Sequence, residues 1–126
     1  MSALDAAARQ DLLTRALNHP LEKVQGMDPD YRGKVRDVFH RGDELFLVAT
    51  DRVSAFDVVL GTVPLKGSLL TEQSTFWLEK TADICRTHLV ERVAPQVMRC
   101  QKAEPLPIEM IVRGYLAGSL MRAKPE

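Results

Sequence analysis

The sequence predicts an α+β domain built on a small, mainly antiparallel sheet with flanking helices. Two observations carry this. Short apolar runs follow one another directly, separated by tight-turn residues, and two longer stretches of helical periodicity lie around them. Residues 2 to 18 read as an amphipathic helix, with Ser2 as cap, Asp5 near the positive end of the dipole, and Leu4, Ala8, Leu12 and Ala16 in one stripe beside Leu13 and Leu17. Asn18-His19-Pro20 stops it. From Tyr31, "YRGKVRDVF" alternates, "HRGDE" turns and "LFLVAT" is apolar, so residues 31 to 50 read as a hairpin. "DRVSAFDVVLGTVP" reads as a polar loop entering a short strand that Gly61 and Pro64 close. "KGSLLTEQSTFWLEKTADI" is a second helix, with Leu69, Leu70, Phe76, Trp77 and Ile84 on one expected core face. Residues 88 to 101 suggest further strand broken at Pro95, and "KAEPLPIE" a stiff connector. Residues 108 to 113 suggest a last buried strand, with a helix starting at Gly118-Ser119 and running to Arg122.

The chain of 126 residues is long enough for one domain, and 17 basic residues balance 17 acidic ones. A field that would draw in nucleic acid or an anionic membrane is therefore not expected. Cys85 and Cys100 are too few for a disulfide scaffold, and with His19, His40 and His88 they show no metal-ligand spacing. "MSALDAAARQDLL" lacks a secretory apolar core, and no window approaches the roughly 18 apolar residues of a membrane span. These features suit a cytoplasmic protein with no metal site of its own.

Four segments could carry chemistry. In "YRGKVRDVF" a continuous strand would put Arg32, Lys34 and Arg36 on one face, about 6.6 Å apart, with Gly33 admitting a ligand to the backbone. Such a row could grip a polyphosphate, or could be the solvated face of an edge strand. "DRVSAFD" packs Asp51, Arg52, Ser54 and Asp57 around Phe56, which suits a ligand-orienting loop or a self-satisfied turn. Lys66-Gly67 precedes a helix start, where amides receive anions or a cap. Arg113 closes an apolar run, an expensive place for a charge without a partner, and Gly118-Ser119 follows. Together these suggest a ligand with several negative groups, and no Walker loop or dinucleotide fingerprint is present.

"GKVRDVF", "DRVSAFD", "KGSLLTEQSTFW" and "IEMIVRGYLAGSL" occur in the order and spacing of phosphoribosylaminoimidazole-succinocarboxamide synthases, the SAICAR synthetases, which the chain resembles over about residues 31 to 122. The resemblance implies a ligase of de novo purine biosynthesis that joins L-aspartate to carboxyaminoimidazole ribonucleotide, using ATP and Mg2+. It implies a kinase-like ATP-binding lobe over residues 21 to 112 after a helix in residues 1 to 20, with a second lobe starting at residues 113 to 126. Lys34 and Arg36 then resemble the cations over the ATP phosphates, Gly33 and Val35 backbone contacts, Val38 an adenine wall, and Leu106 an amide at the adenine edge. Asp57 and Arg113 resemble the residues at the reacting substrates, with Ser54 beside them and Ser119 at the 5′-phosphate. Residue 65 is Leu where the family often has Gly. Relatives are longer than this chain, and the magnesium ligands are expected outside it. The polypeptide alone is accordingly expected to make no product. A non-catalytic nucleotide-binding module is the competing reading.

Overall fold

A computed structural model describes residues 6–108 and 110–115. Helix α1, Ala6–Asn18, precedes strands β1, Tyr31–Arg32; β2, Arg36–Arg41; β3, Glu44–Ala49; β4, Arg52–Ala55; and β5, Val58–Thr62. Helix α2, Lys66–Lys80, then leads to β6, Leu89–Ala94, and β7, Val97–Gln101. Five strands form one sheet in the order β1-β2-β3-β7-β6, every pair antiparallel, and β4-β5 form a separate two-stranded ribbon. This is the expected α+β class.

The hairpin between β2 and β3 turns at Arg41–Glu44, where Gly42 has φ 60, a left-handed conformation that glycine adopts without steric penalty. Pro95 likewise falls between β6 and β7, where a missing N–H harms no ladder. Register fixes the two faces of the sheet. Val38, Leu47 and Met98 align across β2, β3 and β7, and Leu47 and Met98 line one cleft with Trp77 and Leu78 of α2. Phe39, Phe46 and Val48 point the other way, towards Leu21, Val24 and Met27.

Four expectations are corrected. Residues 31 to 39 are not one strand: the chain reverses at Gly33–Val35 and β1 pairs back on β2, with Tyr31 opposite Val38 and Arg32 opposite Asp37. Arg32, Lys34 and Arg36 therefore do not share a strand face. "RVSA" is strand rather than loop, with a bulge at Val53/Ser54. Helix α2 buries Gly67, Thr71 and Thr75, a small-residue stripe with i, i+4, i+8 spacing, while Leu69, Phe76, Trp77 and Ile84 are exposed. Among the described residues, 108 and 110 to 113 form no strand, and Ile108, Met110, Ile111 and Val112 are exposed, so Arg113 does not close a buried run. Among the described residues nothing pairs with that segment. The proposed cap at Ser2, the dipole partner Asp5, Ser119 and the helix from Gly118 lie outside the described residues.

The interior is unusually polar. Phe39, Val48, Ala49, Met98 and Cys100 are the buried apolar residues among those described, against buried Asp37, Thr50, Asp51, Arg52, Thr71 and Thr75. Charges buried this far from water are tolerated only when fully hydrogen-bonded, so their partners determine how the loops are held.

Candidate functional site

The site is built around the reversal at Gly33–Val35. Gly33 sits there because a Cβ would press on the Arg36 carbonyl oxygen at 3.1 Å. Its N–H donates to that same oxygen at 2.7 Å, closing the turn. The three carbonyls that follow are all taken. Arg52 donates from Nη2 to the Gly33 oxygen at 3.0 Å and from Nε to the Lys34 oxygen at 3.1 Å. The Val35 oxygen accepts both the Thr50 N–H, at 3.0 Å, and the Thr50 hydroxyl, at 2.9 Å. Arg52 also donates from Nη1 to the Glu22 oxygen at 2.6 Å and holds Asp37 through Nη2–Oδ1 at 2.7 Å and Nη1–Oδ2 at 3.5 Å. Asp37 is fully buried and lies 3.7 Å from Arg32 Nε as well. Arg52 is only 6% exposed, so its hydrogen bonds are made at low dielectric, where they are strong.

Asp51 organises the other side. Its Oδ2 accepts the Leu21 N–H at 2.8 Å, and its Oδ1 accepts the Gly67 N–H at 2.8 Å and Gln96 Nε2 at 3.0 Å. The N-terminus of α2 is thus capped by a buried carboxylate, and the anion-receptive reading of Lys66-Gly67 gives way to the cap. Leu65 precedes it with φ 65, a left-handed conformation that costs an ordinary side chain about 1–2 kcal/mol.

Lys34 and Asp57 form an ion pair that ties the tip of the reversal to the turn between β4 and β5. Each shifts the other. The hydrogen bond to Asp57, and then its charge, raise the Lys34 pKa, and the same contact with Lys34 lowers that of Asp57. Phe56 and Asp57 both have positive φ, 50 and 67, at that turn, and Phe56 is fully exposed. Two non-glycine residues in that region store strain, as functional loops often do.

The structure therefore brings together Gly33, Lys34, Val35 and Asp57, and leaves Ser54 half-buried on β4. Arg36 lines a cleft of about 380 Å³ between sheet and helix with Leu47, Gln73, Ser74, Trp77, Leu78, His88 and Met98. Val38 shares that sheet face by register. Leu106 is exposed, its carbonyl accepting the Ile108 N–H at 2.8 Å. Arg113 is exposed, and no hydrogen bond or ion pair joins it to Lys34 or Asp57. A larger, apolar groove of about 760 Å³ lies on the opposite sheet face, and none of the described sequence-predicted site residues lines it. Sequence reasoning singled out Arg52 only as part of a ligand-orienting loop or self-satisfied turn, and it missed Asp37 and the buried pair the two make. Their signal was available, since Arg52 follows the apolar run of residues 45 to 49 almost at once.

Fold and site define an antiparallel α+β lobe whose cation-tipped hairpin is held from beneath by a buried ion pair. The sequence matches the family described as SAICAR synthetase over residues 30–126, and the chain belongs to that family. A phosphoribosylaminoimidazole-succinocarboxamide synthase of Thermodesulfovibrio yellowstonii is 50% identical over 104 residues, covering 70% of this chain and 36% of that protein. The enzyme of the same name from Legionella pneumophila strain Paris is 47% identical over 89 residues, 71% of this chain and 28% of its own length. A solved SAICAR synthase from Saccharomyces cerevisiae, described as complexed with SAICAR, matches with a TM-score of 0.70 and 33% identity over 79% of this chain and 42% of that one. The chain spans about a third of the length of these curated relatives. Among the described residues no helix is long and apolar enough to cross a membrane.

Proposed function

We propose that this chain is the ATP-binding lobe of a SAICAR synthetase of purine biosynthesis, which joins L-aspartate to carboxyaminoimidazole ribonucleotide and releases ADP and phosphate. The observation that carries this reading is the reversal at Gly33–Val35, with its carbonyls tied inward and Lys34 at its tip, inside the segment matched by the family. Gly33 and Val35 would meet the ATP phosphates through backbone, and Lys34 and Arg36 through charge. Val38 would wall the adenine and the Leu106 amide would meet its edge. Asp57, Ser54, Arg113 and Ser119 are assigned to the ribonucleotide and aspartate.

The chemistry is activation of a poor electrophile. The γ-phosphoryl group passes to a carboxylate oxygen of the ribonucleotide, ADP leaves, the aspartate amine attacks the acyl phosphate, and phosphate departs. Such a reaction needs positioning and neutralisation of charge. Magnesium would assist phosphoryl transfer, but no three His, Cys, Asp or Glu side chains among the described residues could hold a metal. The residues present do not fit that ion. The cytoplasm is the compartment this chemistry implies, and the partners are small molecules.

The second reading is a nucleotide-binding module that does not catalyse. Separate calorimetric titrations with ATP and with the ribonucleotide, beside a coupled ADP-release assay, test both. ATP binding without turnover by the 126-residue chain is expected. Substrate-dependent turnover would overturn the inactivity of the chain, and failure to bind ATP would overturn the lobe assignment. Binding of ATP with no affinity for the ribonucleotide would favour the module.

A further inference from the structure

We infer that Arg52 is a positioning residue for phosphate recognition: by capturing successive carbonyls of the Gly33–Val35 reversal, it turns the intervening amides outward to face an anion. In a planar trans peptide the carbonyl and the following N–H point in opposite directions. The Gly33 carbonyl faces Arg52 Nη2, so the Lys34 N–H faces away from the guanidinium. The Lys34 carbonyl faces Nε, so the Val35 N–H does the same. Thr50 holds the Val35 carbonyl and thereby orients the Arg36 N–H.

The Lys34 and Val35 N–H groups donate to no acceptor among the described residues, as befits donors reserved for a ligand. Successive outward N–H groups form a concavity suited to a phosphate oxygen. Arg52 cannot itself be that ligand's partner. It is buried, and its donors are spent on Gly33, Lys34, Glu22 and Asp37. Asp37 offsets its charge at 2.7 Å, so the guanidinium acts through the backbone rather than as a field. Lysine could keep the charge but could not reach two carbonyls and a carboxylate from one rigid fork.

This inference rests on the ATP reading, and the test separates the two. Affinities of the full chain for ATP, tripolyphosphate and adenosine are measured for the parent, for Arg52→Lys and for the double variant Arg52→Met/Asp37→Leu. The double variant removes both buried charges and so leaves neither stranded. Far-UV circular dichroism checks folding. ATP and tripolyphosphate binding should weaken about tenfold or more in both variants, the scale of hydrogen bonds to charged groups, while adenosine binding stays within twofold of the parent. Backbone 15N order parameters at Lys34 and Val35 should fall from about 0.85 to below about 0.6 in the variants. A folded variant that keeps parental ATP affinity, or parental order parameters at these residues, overturns the inference. If the parent binds no ATP, the functional reading fails. The order parameters then still decide whether Arg52 holds the loop.

Discussion

Gly67→Ala is the substitution for which two physical arguments give opposite signs. Gly67 is the second residue of α2, and in a solvated helix alanine would stabilise by about 1 kcal/mol over glycine. Here a Cβ would stand 2.2 Å from the Ala49 carbonyl oxygen and 2.9 Å from its carbon, with Gln96 Nε2 at 2.7 Å. The Gln96 amide can swing away, though it would surrender its bond to Asp51, but the Ala49 carbonyl belongs to β3 and cannot. Helix α2 must therefore shift outward by roughly an ångström. That movement stretches the Gly67 N–H bond to Asp51, 2.8 Å in the parent. Overpacking of this kind costs about 1–3 kcal/mol, and weakening the buried cap adds about 1 kcal/mol more. Set against the propensity gain, the net is a loss of about 2 kcal/mol. For a chain of this length that lowers the thermal midpoint by roughly 6–10 °C. Thermal unfolding followed at 222 nm reads the difference directly. A midpoint equal to or above that of the parent would refute the close approach of α2 to β3.

Two further outcomes follow from the same interior. Asp51→Asn keeps one acceptor but turns an NH2 group towards a backbone N–H or the Gln96 amide, so a buried donor loses its partner, and urea unfolding should show a loss of about 1–3 kcal/mol. The Lys34–Asp57 pair contributes between two limits: Asp57, with its lowered pKa, loses its contribution as pH falls through that value, and Lys34, with its raised pKa, loses its own as pH rises through that value. In Asp57→Asn the Lys34 side-chain pKa should fall back towards its ordinary value in an NMR titration, and an unchanged value would show that the pair does not form.

The legible part of this fold was its punctuation. Gly42 and Pro95 mark two of the hairpin turns, and the antiparallel class follows from them. What the sequence hid was direction. The large residues of α2 show helical periodicity, but periodicity cannot say that Gly67, Thr71 and Thr75 pack on the sheet while Leu69 and Phe76 are exposed and Trp77 only edges the cleft. The tight fit of Gly67 on Ala49 decides that, and it is a tertiary contact. The rule that an arginine ending an apolar run must be paired was sound, but it was applied to Arg113. It describes Arg52. The run "IEMIV" has strand composition without a partner strand among the described residues, and composition alone does not supply hydrogen bonds. At the site, Lys34 and Asp57 were both legible as charged, and their pairing across 23 residues was not.

Asp51 and Arg52 explain how buried charge is held in so polar an interior and how that interior holds the Gly33–Val35 reversal. As neighbours at the start of β4 they direct their side chains apart. Asp51 gathers Leu21, the first turn of α2 and Gln96 of the turn before β7. Arg52 gathers Glu22, Asp37 and the reversal at Gly33–Val35. Both thus seize the same connector, at residues 21 and 22, from opposite sides. The Leu21 N–H and the Glu22 carbonyl are held by these side chains, with the Leu21 carbonyl accepting the Asp51 N–H at 2.7 Å besides, so displacing either charge loosens the connector and, through it, the grip on the other. Effects of substitutions at the two positions should therefore fall short of additive, because the first already releases part of what the second would. The Asp51 side chain reaches the Gly33–Val35 reversal through that shared connector, whereas Arg52 holds its carbonyls directly. Loss of Asp51 should then show mainly in stability, and loss of Arg52 in the order of the loop even where the fold survives.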